Sequence, residues 1–282
     1  MNYFLRKIII FISSIFFILT VSFFLMKIIP GDPFLDEKVI PKEILNSLHK
    51  HYGFDQPLYK QYLKYLQGVF KGDLGPSYIY QGMRVQEIIK EGFPISAMLG
   101  IEALSLALFF GILFGSLSSL YKGNWQDTSI MAIAIIGISV PSFLMASFLQ
   151  YLFAIKLKIL PIARWTDFSH TILPAIALAA TPTAFIARLI RSNMIEVMQQ
   201  EYIKTAFSKG LSPLYVVFHH ALRNAILPVV SYLGPVSAQI LTGSFIIEKI
   251  FAIPGLGSWL IMSISNRDYT VILGVTLFFS VI

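Results

Sequence analysis

The side chains that could do chemistry are few and scattered. The chain has no cysteine, which removes disulfides, thiolate metal ligands and thiol nucleophiles. His219 and His220 are adjacent, but they sit in no HExxH pattern and have no cluster of acids or further histidines at helical spacing. They do not read as a metal site. His170, at a loop edge, reads as a solvated residue, and no Ser-His-Asp set can be argued from spacing. None of the 18 glycines is followed by lysine, so no Walker A loop can form. No catalytic, metal-ligating or cofactor-binding residue is therefore expected, and the chain does not read as an enzyme.

One acid, Glu102, stands out because it lies well inside an apolar run. A carboxylate within a membrane segment is costly and is by default a functional candidate. Glu102 is about two turns from the outer end of its run, so snorkelling or a helix-helix hydrogen bond is the first reading. Lining a polar path, together with Ser139 and Pro141, is the second. The elements around these residues are set by composition. The 282 residues are 56% hydrophobic and only 13% charged, against roughly 25% charged in soluble domains. Mean hydropathy is +0.71. Lipid must cover much of such a surface. The net charge of +7 is dispersed between apolar runs. It suits loops at lipid headgroups rather than nucleic acid.

Six apolar spans are expected, giving an all-α polytopic transmembrane bundle. Residues 1–29 form the first. Arg6 and Lys7 precede the run, but its length and the lack of a small-x-small cleavage site make it a retained helix rather than a signal peptide. Residues 30–94 hold eight Lys/Arg and eight Asp/Glu and form a structured extramembrane insert. Two short amphipathic helices, 44–52 and 58–70, are split there by the turn Gly53-Phe54-Asp55-Gln56-Pro57. Further spans lie near 95–120, 129–155, 171–187 and 225–247. A last begins near Tyr269, and its 14 residues to Ile282 reach only about 21 Å as a helix. That is short of the roughly 30 Å hydrocarbon core, so a truncated sixth helix is expected. With Met1 inside, eight basic residues fall in inner loops and five in short outer ones. This favours a cytoplasmic N-terminus.

The polar segment 188–225 lies between two spans on that inner side. Glu201 and Lys209 complement the dipole of a short helix. Ile203 and Phe207 share one face at i,i+4, as do Tyr202 and Ala206. Gly210 suits the left-handed position after a helix end. Ser212 and Pro213 then read as the N-cap and first residue of a second helix. An ordinary interhelical loop and a rigid protrusion for a soluble partner both fit this pattern. In the fourth span, Ala175, Ala177, Ala179, Ala180, Ala184 and Ala187 permit close helix packing, and Pro182 is expected to kink it.

The run Glu201-Tyr202-x-x-Thr205-Ala206-x-x-Lys209-Gly210-Leu211, followed by His220-Ala-Leu-Arg223-Asn224-Ala225-Ile-Leu-Pro228, resembles the "EAA" loop of binding-protein-dependent ABC permeases, in the form used by the dipeptide, oligopeptide and nickel branch. Further likenesses run along nearly the whole chain. They are Pro30-Gly31-Asp32-Pro33, the 53–57 turn, Gly72-Asp73-Leu74-Gly75, Ser139-Val-Pro141-Ser142-Phe143, Glu248-x-x-Phe251-x-x-Pro254-Gly255-Leu256-Gly257 and Asn266-Arg267-Asp268-Tyr269. The long insert resembles that of the B-type permease of the pair. One departure is that Lys204, not an acid, precedes Thr205-Ala206.

The resemblance implies a type I ABC importer permease fold, with 95–282 as its transmembrane domain and 188–225 as its cytoplasmic coupling loop. It implies a bacterial inner-membrane permease that forms a path for peptides. The implied partners are a second, C-type permease, two ATP-hydrolysing subunits, a solute-binding protein and the lipid bilayer itself. Glu201, Tyr202, Thr205, Ala206, Lys209, Gly210, Leu211, Ser212 and Pro213 would then form the ATPase contact. Nickel or another small solute is the alternative cargo. An intramembrane enzyme would need a catalytic partner for Glu102, and none is evident. A passive channel would have no use for an ATPase-docking loop.

Overall fold

The computed structural model describes residues 3–29, 31–34, 41–80, 82–242 and 244–282; Pro30 of the first motif lies outside them. Among the described residues the chain is helical, with a single isolated β-bridge between Pro76 and Arg84. It divides into two compact units, Met1–Pro94 with Gly255–Ile282, and Ile95–Pro254.

The first unit begins with α1 (Tyr3–Ile28), followed by α2 (Lys42–Tyr52) and α3 (Leu58–Phe70). Both short helices stand where the periodicity puts them. Gly53 ends α2 in the left-handed conformation, at φ +77°, and Phe54 N–H donates back to the His49 carbonyl at 2.8 Å. A side chain would oppose that turn. α4 (Val85–Leu120) starts ten residues before the apolar run expected there. The charged residues of its first turns belong to the helix, and Glu87 accepts from Arg84 N–H at 2.9 Å. This is half of a capping box. Pro94 is tolerated within α4.

In the second unit α5 (Trp125–Ser139) and α6 (Ser142–Leu149) replace the single span expected over 129–155. α6 runs on as a π-helical stretch to Lys156, and the two halves are bent by 106°. The cause is local. A residue before proline is driven out of the helical region, and Val140 is extended, at φ −84° and ψ 119°. α7 (Ser169–Val197) is one helix through Pro174 and Pro182. It continues ten residues past the expected span end, so the segment 188–225 is mostly helical rather than loop. It leads into α8 (Glu201–Ser208), α9 (Pro213–Tyr215), a π-helical stretch (Val216–Ala221) and α10 (Leu222–Ala225). α11 (Leu227–Leu241) and α12 (Phe245–Ile250) complete this unit. α13 (Leu256–Ser265) and α14 (Tyr269–Val281) return to the first.

Among the described residues, four helices are long and apolar enough to cross a membrane, or five if the bent α5–α6 pair is one span. The chain is thus a multi-pass membrane protein. α7 is the spine of its unit. Ala175, Ala177, Ala179, Ala184 and Ala187 are buried along it. α4 meets it through Gly111 and Gly115, spaced as a GxxxG pair. A Cβ on Gly115 would lie 2.6 Å from the Ala187 carbonyl, and one on Gly111 would lie 2.7 Å from Ile186 Cβ. Small residues at such spacing let helix backbones approach closely where lipid gives no hydrophobic drive. In the first unit the start of α14 is fixed by Asp268. Its carboxylate accepts from Val271 N–H at 3.4 Å, Thr270 Oγ1 at 2.9 Å and Tyr78 N–H at 3.2 Å, and also from Ser77 Oγ. The acid is fully buried and serves as the anchor for the 77–79 loop.

Candidate functional site

α8 and the turn after it form a ridge with one buried edge. Ile203 and Ala206 are buried in the core of the second unit, with Val216 and Val217 beyond the turn. The buried pair on α8 is spaced i,i+3, Ile203 with Ala206. Phe207 and Tyr202 are exposed. The helix ends in a Schellman motif. Gly210 N–H donates to the Phe207 carbonyl at 2.9 Å and Leu211 N–H to the Ala206 carbonyl at 3.4 Å. Gly210 sits at φ +79°, the left-handed geometry that glycine adopts without penalty. Ser212 then caps the next helix, its hydroxyl accepting from Tyr215 N–H at 3.4 Å, with Pro213 in the first turn.

Two further bonds stiffen the ridge. Asn224 Nδ2 donates to Tyr202 Oη at 2.6 Å, tying α8 to α10. Lys204 Nζ lies 2.7 Å from Glu201 Oε1, so the glutamate pairs within its own helix. The outer surface presents Phe207, Leu214, Tyr215 and Phe218 beside Lys209; Leu214 is 65% exposed. Tyr215 stacks on His219, ring centroids 4.2 Å apart. The two histidines therefore belong to an aromatic surface, and among the described residues no three metal-ligating side chains converge.

Glu102 lines an open groove of about 1110 Å³ bounded by α4, α5, α6 and α7. Among the described residues it is the only ionisable side chain on a wall otherwise made of residues such as Phe109, Phe110, Ile133 and Ala180, with Ser105, Thr171 and Thr183 adding hydroxyls. Ser139 and Pro141 are not on that wall. They flank the bend between α5 and α6, two and four residues beyond Gly137, which does line it. Glu102 is also not the only acid in an apolar segment. Glu248 is fully buried in α12 and accepts from Ser96 Oγ at 2.8 Å. Its place in the apolar stretch Phe245–Ile250 was the available signal. His170 is likewise less solvated than expected, with a side chain only 15% exposed beside Asp167.

Sequence reading also missed an ion pair that closes the same end of α4, α5 and α7. Asp127, buried in the first turn of α5, receives Arg191 Nε at 2.6 Å and Nη2 at 2.7 Å. Ser118 Oγ donates to it at 2.5 Å and Gly123 N–H at 3.0 Å. A bidentate arginine with every carboxylate oxygen satisfied is the geometry in which a buried pair holds elements rigidly. Arg191 is ten residues before α8 on the helix that leads into it.

The profile of the family described as binding-protein-dependent transport system inner membrane component matches residues 107–282, and that of its N-terminal region matches residues 1–100. The dipeptide transport system permease protein DppB of Bacillus subtilis is 46% identical over 270 residues, covering 96% of this chain and 88% of that protein. The oligopeptide transport system permease protein OppB of Haemophilus influenzae is 40% identical, covering 94% and 88%. DppB of Lactococcus lactis is 40% identical over 281 residues, covering 100% and 92%. Among solved structures, a chain of the inward-facing MetNI methionine ABC transporter superposes with a TM-score of 0.54 at 15% identity, covering 67% of this chain and 89% of that one. That likeness shows a shared fold. The two profiles and these relatives together establish that this chain belongs to the family of binding-protein-dependent transport system inner membrane components.

Proposed function

We propose that this chain is the B-type permease of an ATP-driven peptide importer, lining the path with a second permease and driven by two separate ATPase subunits. The observation that carries the coupling role is the α8 ridge. It is anchored from beneath by Ile203 and Ala206, closed by the Gly210 turn, and presents an aromatic and basic outer face. A protrusion so held transmits a push to α7 instead of yielding to it. Arg191 passes that displacement to α4 and α5, which wall the groove holding Glu102. The second permease would close the groove, and alternating access would follow from the walls moving together.

Peptide rather than nickel is the cargo favoured by the relatives, which are named for dipeptide and oligopeptide transport. A solute-binding protein would deliver it. In the proposed topology the N-terminus and the ridge are cytoplasmic, in a bacterial inner membrane. Counting α1, α4, the bent α5–α6 pair and α7 as four crossings supports this reading, because an even number returns the chain to the side it started from.

The test is reconstitution with the ATPases, the second permease and the binding protein in liposomes. ATP-dependent uptake of labelled dipeptide is expected. Uptake of nickel without peptide would overturn the cargo, and peptide uptake that ignores ATP would overturn the coupling.

A further inference from the structure

The insert helix α3 carries two apolar faces, and only one of them is covered. Tyr62, Tyr65 and the α1 residues Thr20 and Phe23 form the covered one. Tyr62 Oη and Thr20 Oγ1 are 2.6 Å apart, and the Phe23 ring packs on Tyr62 and Tyr65 at centroid distances of 5.2 and 5.7 Å. The second face runs through Tyr59, Leu63, Leu66 and Phe70. This 4-3-4 spacing keeps a stripe on one side of a helix. Tyr59 is 61% exposed, Leu63 59% and Phe70 84%. α3 contains no acid, and Lys60, Lys64 and Lys71 beside the stripe are all exposed.

We propose that α3 is not held off in water but lies in the membrane interface, with the Tyr59–Phe70 stripe in lipid and the three lysines at anionic headgroups. Lys7 and Lys27 are twenty residues apart on α1, about 30 Å of helix, the thickness of the hydrocarbon core. Thr20 is seven residues inside Lys27, about 10 Å below that level. A helix whose Tyr62 reaches Thr20 therefore lies beside membrane-depth turns of α1. Nearby α1 residues, Phe24, Leu25 and Ile28, are exposed and apolar too, so the stripe continues a lipid-facing surface. Lysines flanking an apolar face, with tyrosine at one end, suit an interfacial helix. The inference depends only on α1 crossing the bilayer. It does not depend on which side is cytoplasmic or on what is transported.

The chain's lack of cysteine makes the test direct. Spin labels are placed singly through Leu63→Cys, Phe70→Cys, Lys60→Cys and Gln67→Cys, all exposed positions. The transporter is reconstituted in vesicles of phosphatidylethanolamine and phosphatidylglycerol. Collision with oxygen, which concentrates in lipid, is compared with collision with a water-soluble nickel chelate. Oxygen should dominate several-fold at 63 and 70, and nickel at 60 and 67. Nickel reaching all four sites equally would overturn the proposal by placing α3 in water. Exclusion of both relaxants at 63 and 70 would overturn it by showing that a protein covers the stripe.

Discussion

Gly210 offers a perturbation whose cost is purely conformational. A Cβ built there meets no heavy atom within 4 Å, so a side chain has room. What it lacks is an easy backbone, because φ is +79°. The left-handed region costs a non-glycine residue about 1–2 kcal/mol, about five- to thirty-fold in the population of the formed turn. Asparagine tolerates that region best, alanine less well, and β-branched valine worst. The two bonds of the Schellman turn, from Gly210 and Leu211 N–H, weaken as the turn opens. In the proposed complex an opened turn blunts the ridge and uncouples the ATPases. The assay is substrate-stimulated ATP hydrolysis by the reconstituted complex carrying Gly210→Asn, Gly210→Ala or Gly210→Val. Stimulation should fall in that order, with Asn close to wild type. Excess ATPase subunit should restore part of the loss in the alanine variant by mass action. Wild-type stimulation in the valine variant would refute the reasoning, as would an equal loss in Asn and Val.

Two further predictions concern the frame around the ridge. Asp127→Asn keeps the volume but removes the charge that receives Arg191, Ser118 and Gly123. Breaking a buried pair costs about 3–5 kcal/mol, but Arg191 is 29% exposed, so about 2 kcal/mol is expected. A lowered thermal midpoint in detergent would show it, and an unchanged midpoint would remove the clamp from the account. Gly115→Ala should destabilise by about 1–3 kcal/mol through overpacking, because its new methyl meets the Ala187 carbonyl at 2.6 Å. Equal thermal stability of wild type and variant would contradict the close α4–α7 contact.

What the sequence made legible was local. α3 begins and ends where its periodicity and turn signals place it. The Gly210, Ser212 and Pro213 signals each report a conformation fixed by one or two residues, and the structure has all three. The break at Val140–Pro141 was also written locally, in the pre-proline rule, but continuous apolarity masked it. α4 starts early because charged residues on its first turns are compatible with a helix protruding from lipid, which hydropathy alone reads as loop. The Asp127–Arg191 clamp joins residues 64 apart in sequence. No periodicity reports such a pair. The same holds for Glu248 and Ser96, separated by 152 residues. On α8 the helix itself was legible, but which of its faces is buried depends on where Val216 and Val217 fold back, and that is tertiary.

The central claim is that the α8 ridge is gripped by an ATPase. A photo-crosslinking amino acid at Phe207, which is exposed on the ridge, tests it most directly in the complex purified from native membranes. A second probe at Phe109, exposed on the groove wall, serves as the comparison. Irradiation should join Phe207, but not Phe109, to a chain identified by mass spectrometry as an ATP-binding-cassette ATPase. An ATPase that copurifies yet yields no adduct at Phe207, or is captured instead from Phe109, would contradict the account.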